Sequence, residues 1–257
     1  MRILATETTW GAASTITDLR AAGFAISTVQ TGQELVDWAD LGQIDAVIVD
    51  MDLPDLDWRE AVKLIRSYRP HLPILVLMPP GSDSGARAAA FDLGADDVLL
   101  ECADARESAA RIGAVVRRRA GLAHPVLVSE GLAYDLVTCT ATVRGQPLHL
   151  TPTESRLVEM LALRHGRTVE KEEMLAHLYD VEEGPEVKTI DVHVCKIRKK
   201  IADLGGGPGA ISTAWGRGYG FGLNARDQAR QLTEAALHFV ERRRRKVAIR
   251  EDRRQLA

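Results

Sequence analysis

Cysteine is scarce and scattered in this chain of 257 residues: Cys102, Cys139 and Cys195 are the three. An odd, widely spaced set excludes a disulfide framework and shows no zinc spacing, so the expectation is reduced thiols, a cytoplasmic address, and no metal or other cofactor. No apolar run approaches the roughly 20 residues needed to span a bilayer, so no membrane partner is expected. Met1-Arg-Ile-Leu4 enters a strand-like run at once, which argues against a secretory signal. An excess of positive charge is missing too. The chain carries 33 Lys and Arg against 36 Asp and Glu, a net −3, which removes any crude electrostatic argument for nucleic-acid binding. The deficit is uneven. Residues 1–121 hold 12 basic and 18 acidic side chains, residues 122–223 hold 11 and 13, and residues 224–257 hold 10 and 5.

The basic side chains of the middle segment are concentrated where they can act together. Residues 186–201 wind into a helix at 3.6 residues per turn. Val187, Ile190, Val194, Ile197 and Ile201 fall on one narrow stripe, the face that seeks a core. Lys188, Val192, Cys195 and Lys199 fall opposite, with Thr189 and Lys196 beside them and His193 and Arg198 on the margins. A helix anchored on one side and presenting Lys, Thr and Val on the other suits the DNA major groove. Lysine reaches guanine edges or phosphates, and Thr or Val methyls meet a thymine methyl. The bland alternative is a solvated amphipathic helix.

The flanks favour the first reading. A glycine-rich turn, 205–209, leads to a hairpin with strands around Ile211–Trp215 and Tyr219–Leu223 and a turn at Gly216-Arg217-Gly218. Arg217 is expected at its tip, free to reach a phosphate or a minor groove. Upstream, Leu150-Thr-Pro-Thr-Glu154 opens a helix: Thr151 as N-cap, Pro152 in the first turn, Glu154 completing a capping box. Another helix is expected from about Glu170 to Tyr179, and strand-like runs fill Val126 to Leu150.

Strands, three helices and a hairpin, in that order, resemble the winged-helix effector of the large family of two-component transcription factors typified by the osmotic-response and phosphate-response regulators (the OmpR/PhoB type). LTPTE, TIDVHVCKIRKKI and TAWGRGYGF are the three stretches that carry the likeness, over roughly residues 126–223, and the helix and wing are most similar to those of alphaproteobacterial cell-cycle regulators. The resemblance implies double-stranded DNA as partner. It implies contacts from Lys188, Thr189, Val192, His193, Lys196 and Arg198, with Arg217 from the wing; Lys199 joins them from the helix periodicity. It further implies RNA polymerase as a protein partner.

Residues 1–121 alternate apolar runs (Arg2–Ala5, Ala46–Val49, Ile74–Leu77, Val98–Leu100) with helical patterns, which implies a parallel sheet covered on both faces. The segment resembles a flavodoxin-like (βα)5 receiver domain. The fold class expected for the whole chain is therefore an α/β flavodoxin-like (βα)5 receiver followed by an α+β winged helix-turn-helix domain. The domains would be 1–121, a linker at 122–125, the winged helix at 126–223 and a basic extension at 224–257. VDMDLPD, residues 49–55, places Asp50 at the family's phosphoacceptor position, and GADD, residues 94–97, precedes the last strand. Phosphoryl transfer to aspartate needs Mg²⁺ held by carboxylates. The family's two metal-binding acids fall here on Thr8 and Thr9, and Glu7 is the only acid left nearby. The hydroxyl after the fourth strand is Met78, the lysine after the fifth is Glu101, and the proline that follows it is Cys102. Glu101 is expected to repel an incoming phosphate. Asp50 is thus expected to be vestigial, and Asp52, Asp55 and Asp57 to form a solvated acidic loop.

The resemblance also implies a homodimer through the fourth helix, fifth strand and fifth helix, with cross-subunit pairs Arg87 with Glu107, Asp96 with Arg111, and Asp97 with Arg118. In the extension, Leu232, Ala235, Ala236, Phe239 and Val240 make one apolar side of a helical pattern, followed by Glu241-Arg-Arg-Arg-Arg-Lys246; it reads as a backbone contact to DNA or as a solvated tail. The leading expectation is a sequence-specific, dimeric, non-enzymatic DNA-binding regulator that works without phosphorylation. Its rivals are a regulator phosphorylated at Asp50 and an interaction module for which DNA is secondary.

Overall fold

The structure is a computed structural model that describes residues 1–41, 43–179 and 185–222. The tail pattern from Leu232 to Lys246 lies outside the described residues. Five strands form the first sheet: β1 (Arg2–Thr6), β2 (Ala25–Val29), β3 (Ala46–Asp50), β4 (Ile74–Met78) and β5 (Asp97–Leu100). They pair in parallel in the order β2-β1-β3-β4-β5, a doubly wound sheet whose order reverses between β1 and β3. Every residue of β3 and β4 is buried, because helices cover both faces. Those helices are α1 (Trp10–Ala21), α2 (Gly32–Leu41), α3 (Trp58–Tyr68), α4 (Ser84–Asp92) and α5 (Ala105–Arg119).

Asp52, Asp55 and Asp57 of the acidic loop are all exposed, as expected, but two of them also have structural partners. Asp57 caps α3 by accepting the Arg59 N–H at 2.7 Å. Asp55 accepts the N–H groups of Gly32 at 2.7 Å and Gln33 at 3.0 Å, and these backbone bonds hold its carboxyl below the ordinary range. Two of the three loop acids thus satisfy orphan donors at helix N-termini while remaining exposed to solvent.

The second half opens with a four-stranded antiparallel sheet: β6 (Val126–Ser129), β7 (Leu132–Asp135), β8 (Thr140–Val143) and β9 (Gln146–Pro147). Then come α6 (Pro152–Leu163), β10 (Val169–Glu170), α7 (Lys171–Leu178), α8 (Lys188–Asp203), β11 (Ile211–Ala214) and β12 (Gly218–Phe221). The last two strands form a hairpin that β10 joins through β12. The α6 N-terminus carries the anticipated box: Thr151 accepts from the Glu154 N–H, and Glu154 accepts from the Thr151 N–H at 2.8 Å. Glu154 is buried and also takes Lys200 of α8 at 2.7 Å, so one carboxylate both caps α6 and fastens α8 to it.

The two halves dock. One buried apolar cluster contains Ile3 and Leu19 of the first half and Leu157, Ile197 and Phe221 of the second. Polar groups rim the junction. The Arg2 guanidinium donates to the carbonyls of Ala176 at 2.6 Å and His177 at 3.2 Å, and the Met1 amino group meets Glu159. Asp45 lies 3.7 Å from Arg164 and 4.0 Å from His177.

Candidate DNA-binding face and degenerate phosphoacceptor pocket

Helix α8 buries Ile190, Val194, Ile197 and Ile201 against the core, four of the five apolar positions anticipated from periodicity; Val187 is half-buried. Lys188, Val192, Cys195, Lys196 and Lys199 are exposed on the other side. Thr189 is half-buried beside them. The face is thus an outward strip of three lysines with a methyl-bearing patch.

The margins of the helix serve other purposes. Arg198 does not stand free: its Nε and Nη2 donate to the Ile211 carbonyl at 3.0 and 2.5 Å, and Nη2 also reaches the Thr213 hydroxyl at 2.7 Å. The guanidinium lies 5.4 Å from the centre of the Tyr219 ring. These bonds tie the wing to α8. His193 pairs through Nε2 with the Tyr179 hydroxyl at 3.1 Å, so this half-buried ring spends one nitrogen on fixing α7 against α8. Asp191, which sequence reasoning passed over, accepts from Lys171 at 2.7 Å and from the Tyr219 hydroxyl at 2.7 Å. Those two bonds hold the Asp191 carboxyl below its ordinary range. Burial, followed by the bond to Asp191, pushes the Tyr219 hydroxyl up to about 12. A Lys–Asp–Tyr relay and an Arg clamp therefore fix the wing relative to α8.

The wing turn falls at Trp215-Gly216-Arg217, one residue earlier than expected. Gly216 takes a φ of 71° there, which a side chain rarely tolerates. Arg217 is half-buried, while Trp215 is 83% exposed and is the most prominent side chain of the turn. An exposed large aromatic at that position was the available signal in the sequence.

At the other end of the molecule, Asp50 closes β3 and is 1% exposed. The Thr8 and Thr9 hydroxyls both lie 2.9 Å from its Oδ2, and the Asp52 N–H reaches Oδ1 at 3.2 Å. The Asp50 N–H donates to the Thr6 hydroxyl at 2.8 Å. Thr9 is also the N-cap of α1, accepting from the Ala12 N–H at 3.0 Å. Glu101 enters the same pocket, its Oε1 3.0 Å from the Thr9 hydroxyl. One hydroxyl proton serves only one of two carboxylates, so Asp50 and Glu101 compete for it. The Glu101 carboxyl lies directly on the first turn of α1: a Cβ at Gly11 would overlap it. Met78 is fully buried and offers no hydroxyl. A magnesium ion does not fit these residues. The Asp50 oxygens already accept hydrogen bonds, the positions beside them hold the Thr8 and Thr9 hydroxyls, and the Glu101 carboxyl is turned onto Gly11 of α1.

The α4–β5–α5 surface holds the residues expected at a dimer face, with different partners inside one chain. Asp96 is bonded to Arg66 at 2.9 Å and Arg119 at 2.5 Å. Arg111 pairs with Glu107 at 2.8 Å and Asp97 at 3.5 Å, and Arg87 donates to the Ser82 carbonyl at 2.6 Å. Arg118 is exposed on α5, and Phe91 and Leu100 form an exposed apolar patch among these charges.

Comparison with known proteins supplies the family. The model described as "Response regulator receiver domain" matches residues 12–112, and "Transcriptional regulatory protein, C terminal" matches residues 145–221. The cell cycle transcriptional regulator CtrA of Caulobacter vibrioides is 37% identical over 220 residues, covering 85% of this chain and 95% of that protein. The chain is a response regulator of the OmpR/PhoB type. The cell cycle response regulator CtrA of Brucella abortus is 38% identical over 202 residues, 78% of this chain and 86% of its own length. Among solved structures, the Thermotoga maritima OmpR/PhoB homologue DrrB matches at 24% identity with a TM-score of 0.40, covering 86% of this chain and 98% of that one. As a response regulator with a DNA-binding winged helix, the chain is a transcriptional regulator. Among the described residues no helix is long and apolar enough to cross a membrane.

Proposed function

We propose that this response regulator binds specific DNA sequences as a homodimer and does so without phosphorylation of Asp50. The observation that carries the DNA reading is the division of α8 into a buried Ile/Val face and an exposed face of Lys188, Val192, Lys196 and Lys199. Cation and methyl groups at that spacing match phosphates, guanine edges and thymine methyls. In this reading the DNA-binding domain spans residues 126–223 and the receiver-like domain residues 1–121. Lys188, Thr189, Val192, Lys196 and Lys199 face the groove. Arg217 and Trp215 act from the wing, while His193 and Arg198 hold the helix and wing in place.

Phosphate independence is supported by the pocket. The Thr8 and Thr9 hydroxyls lie against Asp50 Oδ2 where metal-binding acids would be needed, and Glu101 lies over Gly11 and competes for the Thr9 proton. Dimerisation through α4–β5–α5 is supported by the apolar patch of Phe91 and Leu100 amid Arg87, Asp97, Glu107 and Arg111. RNA polymerase is the protein partner proposed for the DNA-bound form, which places the protein at the nucleoid in the cytoplasm.

Genome-wide immunoprecipitation of wild type beside Asp50→Ala tests the DNA-binding and phosphate-independence parts of this reading. Shared sharp peaks with one sequence motif are expected. Peaks lost in Asp50→Ala would mean that Asp50 matters, through phosphate or through its buried hydrogen bonds; peaks lost also in Asp50→Asn, which keeps those oxygen contacts in part, would overturn phosphate independence. An absence of peaks in wild type and variants would overturn the DNA reading.

A further inference from the structure

Asp45 precedes β3 and Asp50 ends it, so Asp45 marks the end of the sheet away from the phosphoacceptor pocket. There the two halves leave an open cleft of about 330 Å³ between the receiver-like sheet and the C-terminal end of α6. This is the lower end of the size range of small-molecule sites. Arg69, His71 and Arg119 line it from the first half, Arg164 and Arg167 from the second. Among the described residues Asp45 is the one carboxylate lining it. Among those residues the cleft gathers four guanidinium groups against one carboxylate, two of them from a first half that carries 12 basic and 18 acidic side chains. The guanidinium groups are not all spent on the fold. Arg69 caps the Ala39 and Asp40 carbonyls, Arg119 pairs with Asp96, and Arg164 meets Glu173 through Nε at 2.9 Å. The Arg167 side chain makes no hydrogen bond or ion pair among the described residues and lies exposed at the rim. The remaining lining is apolar, Ile44, Leu72, Pro73, Val116 and Leu163 among it.

A cationic rim over an apolar floor fits a ligand with an anionic head and a flat, weakly polar body. The planar fork of arginine matches phosphate oxygens two at a time. We propose that this cleft binds a nucleoside phosphate, with Arg164, Arg167 and His71 around the phosphates and the base against Leu72, Pro73 and Leu163. Because both halves contribute, the bound nucleotide favours the docked arrangement by mass action. A regulator whose aspartate pocket is closed would thereby have a chemical input at the opposite end of the sheet.

Full-length protein titrated calorimetrically with ADP, GDP and inorganic pyrophosphate tests this. At least one nucleotide is expected to bind with a dissociation constant below about 1 mM and to raise the unfolding midpoint. Arg167→Ala, which removes an exposed side chain, is expected to weaken that binding about tenfold or more while leaving DNA binding intact. Lys196→Ala is expected to do the reverse. No binding by either nucleotide would overturn the proposal, as would pyrophosphate binding as tightly as the nucleotides. Nucleotide binding that survives Arg167→Ala but is lost in Lys196→Ala would place the ligand on the DNA face and overturn it equally.

Discussion

His177 shows how one side chain reports on a junction. It is 1% exposed, and burial pushes its imidazole down to about 4, against the opposing pull of the Asp45 carboxylate. Arg164, the N-terminal amino group and Arg2 add to the depression. The folded state therefore holds the ring neutral at pH values where the unfolded chain, near 6.5, takes up a proton. Stability from this group is complete above about 6.5, falls as pH drops below that value, and stops falling below about 4. Asp45 is the partner in this interaction. Its burial is outweighed by His177, the amino terminus and Arg164, its carboxyl sits below 3.8, and its contribution is lost only at lower pH. Urea unfolding of wild type and His177→Gln from pH 7 to pH 4 checks this: the variant is expected to lose most of the wild-type slope across that interval.

The phosphoacceptor pocket is the second case at this scale. Wild-type protein with beryllofluoride and Mg²⁺ is expected to show no saturable change in tryptophan fluorescence. The combined Thr8→Glu, Thr9→Asp and Glu101→Lys variant restores two hard-metal ligands and a cation beside Asp50, and is expected to gain a Mg²⁺-dependent response. A response already present in wild type would contradict the closed pocket.

Helix α6 and helix α8 carry the predictions that belong to elements. Removing the α6 cap with Thr151→Ala is expected to cost about 1 kcal/mol of stability in chemical unfolding. The loss also weakens the seat of Glu154, which accepts from both the Thr151 backbone and Lys200. Along α8, Cys195 is exposed between Val192 and Lys199 on the face assigned to DNA. Maleimide labelling of Cys195 is expected to slow at least about tenfold when cognate DNA is bound, since a side chain in the groove is shielded from reagent. Unchanged labelling would turn that face away from DNA. Lys196→Ala is expected to reduce the dependence of log affinity on log salt by about one unit, the signature of one lost phosphate contact. Arg198→Ala belongs to a different class. It frees the wing from α8, so it is expected to weaken binding through wing order and to lower stability together.

For the whole molecule the question is how two halves act together. Surface ion pairs contribute under about 1 kcal/mol each, so the charges of the α4–β5–α5 face select a partner more than they hold one. Asp96 is committed to Arg66 and Arg119 within the chain, and Arg111 pairs there with Asp97 and Glu107; the exposed Arg111 pairs would have to be exchanged across the interface, with Arg87 and Arg118 beside them, to set register between subunits. Arg111→Glu places like charges beside Asp97 and Glu107. It is expected to shift the protein toward monomer in analytical ultracentrifugation and to weaken binding to paired half-sites more than to a single one.

How much of this was legible in the chain differs by kind of fact. The α6 cap, the apolar stripe of α8 and the apolar strand runs depend on local chemistry: which side chain reaches the nearest backbone donor, and which positions fall on one face at a period of 3.6 or 2. The amino-acid order alone determines these, and with them the absence of acids at positions 8 and 9, the charge reversal at Glu101 and the family resemblance. Long-range partners are decided only by packing. Nothing near Arg198 in sequence tells that its guanidinium turns to the Ile211 carbonyl, nor that Asp55 caps a helix more than twenty residues upstream. Likewise Glu101 meets Gly11, Asp45 meets His177, and four arginines from distant segments line one cleft, because a doubly wound sheet brings its loops together at its two ends and the winged helix packs against one of them. A side chain's type is written in the sequence; which group it faces is set by the tertiary fold, since the energy of a contact depends on separation in space and not along the chain.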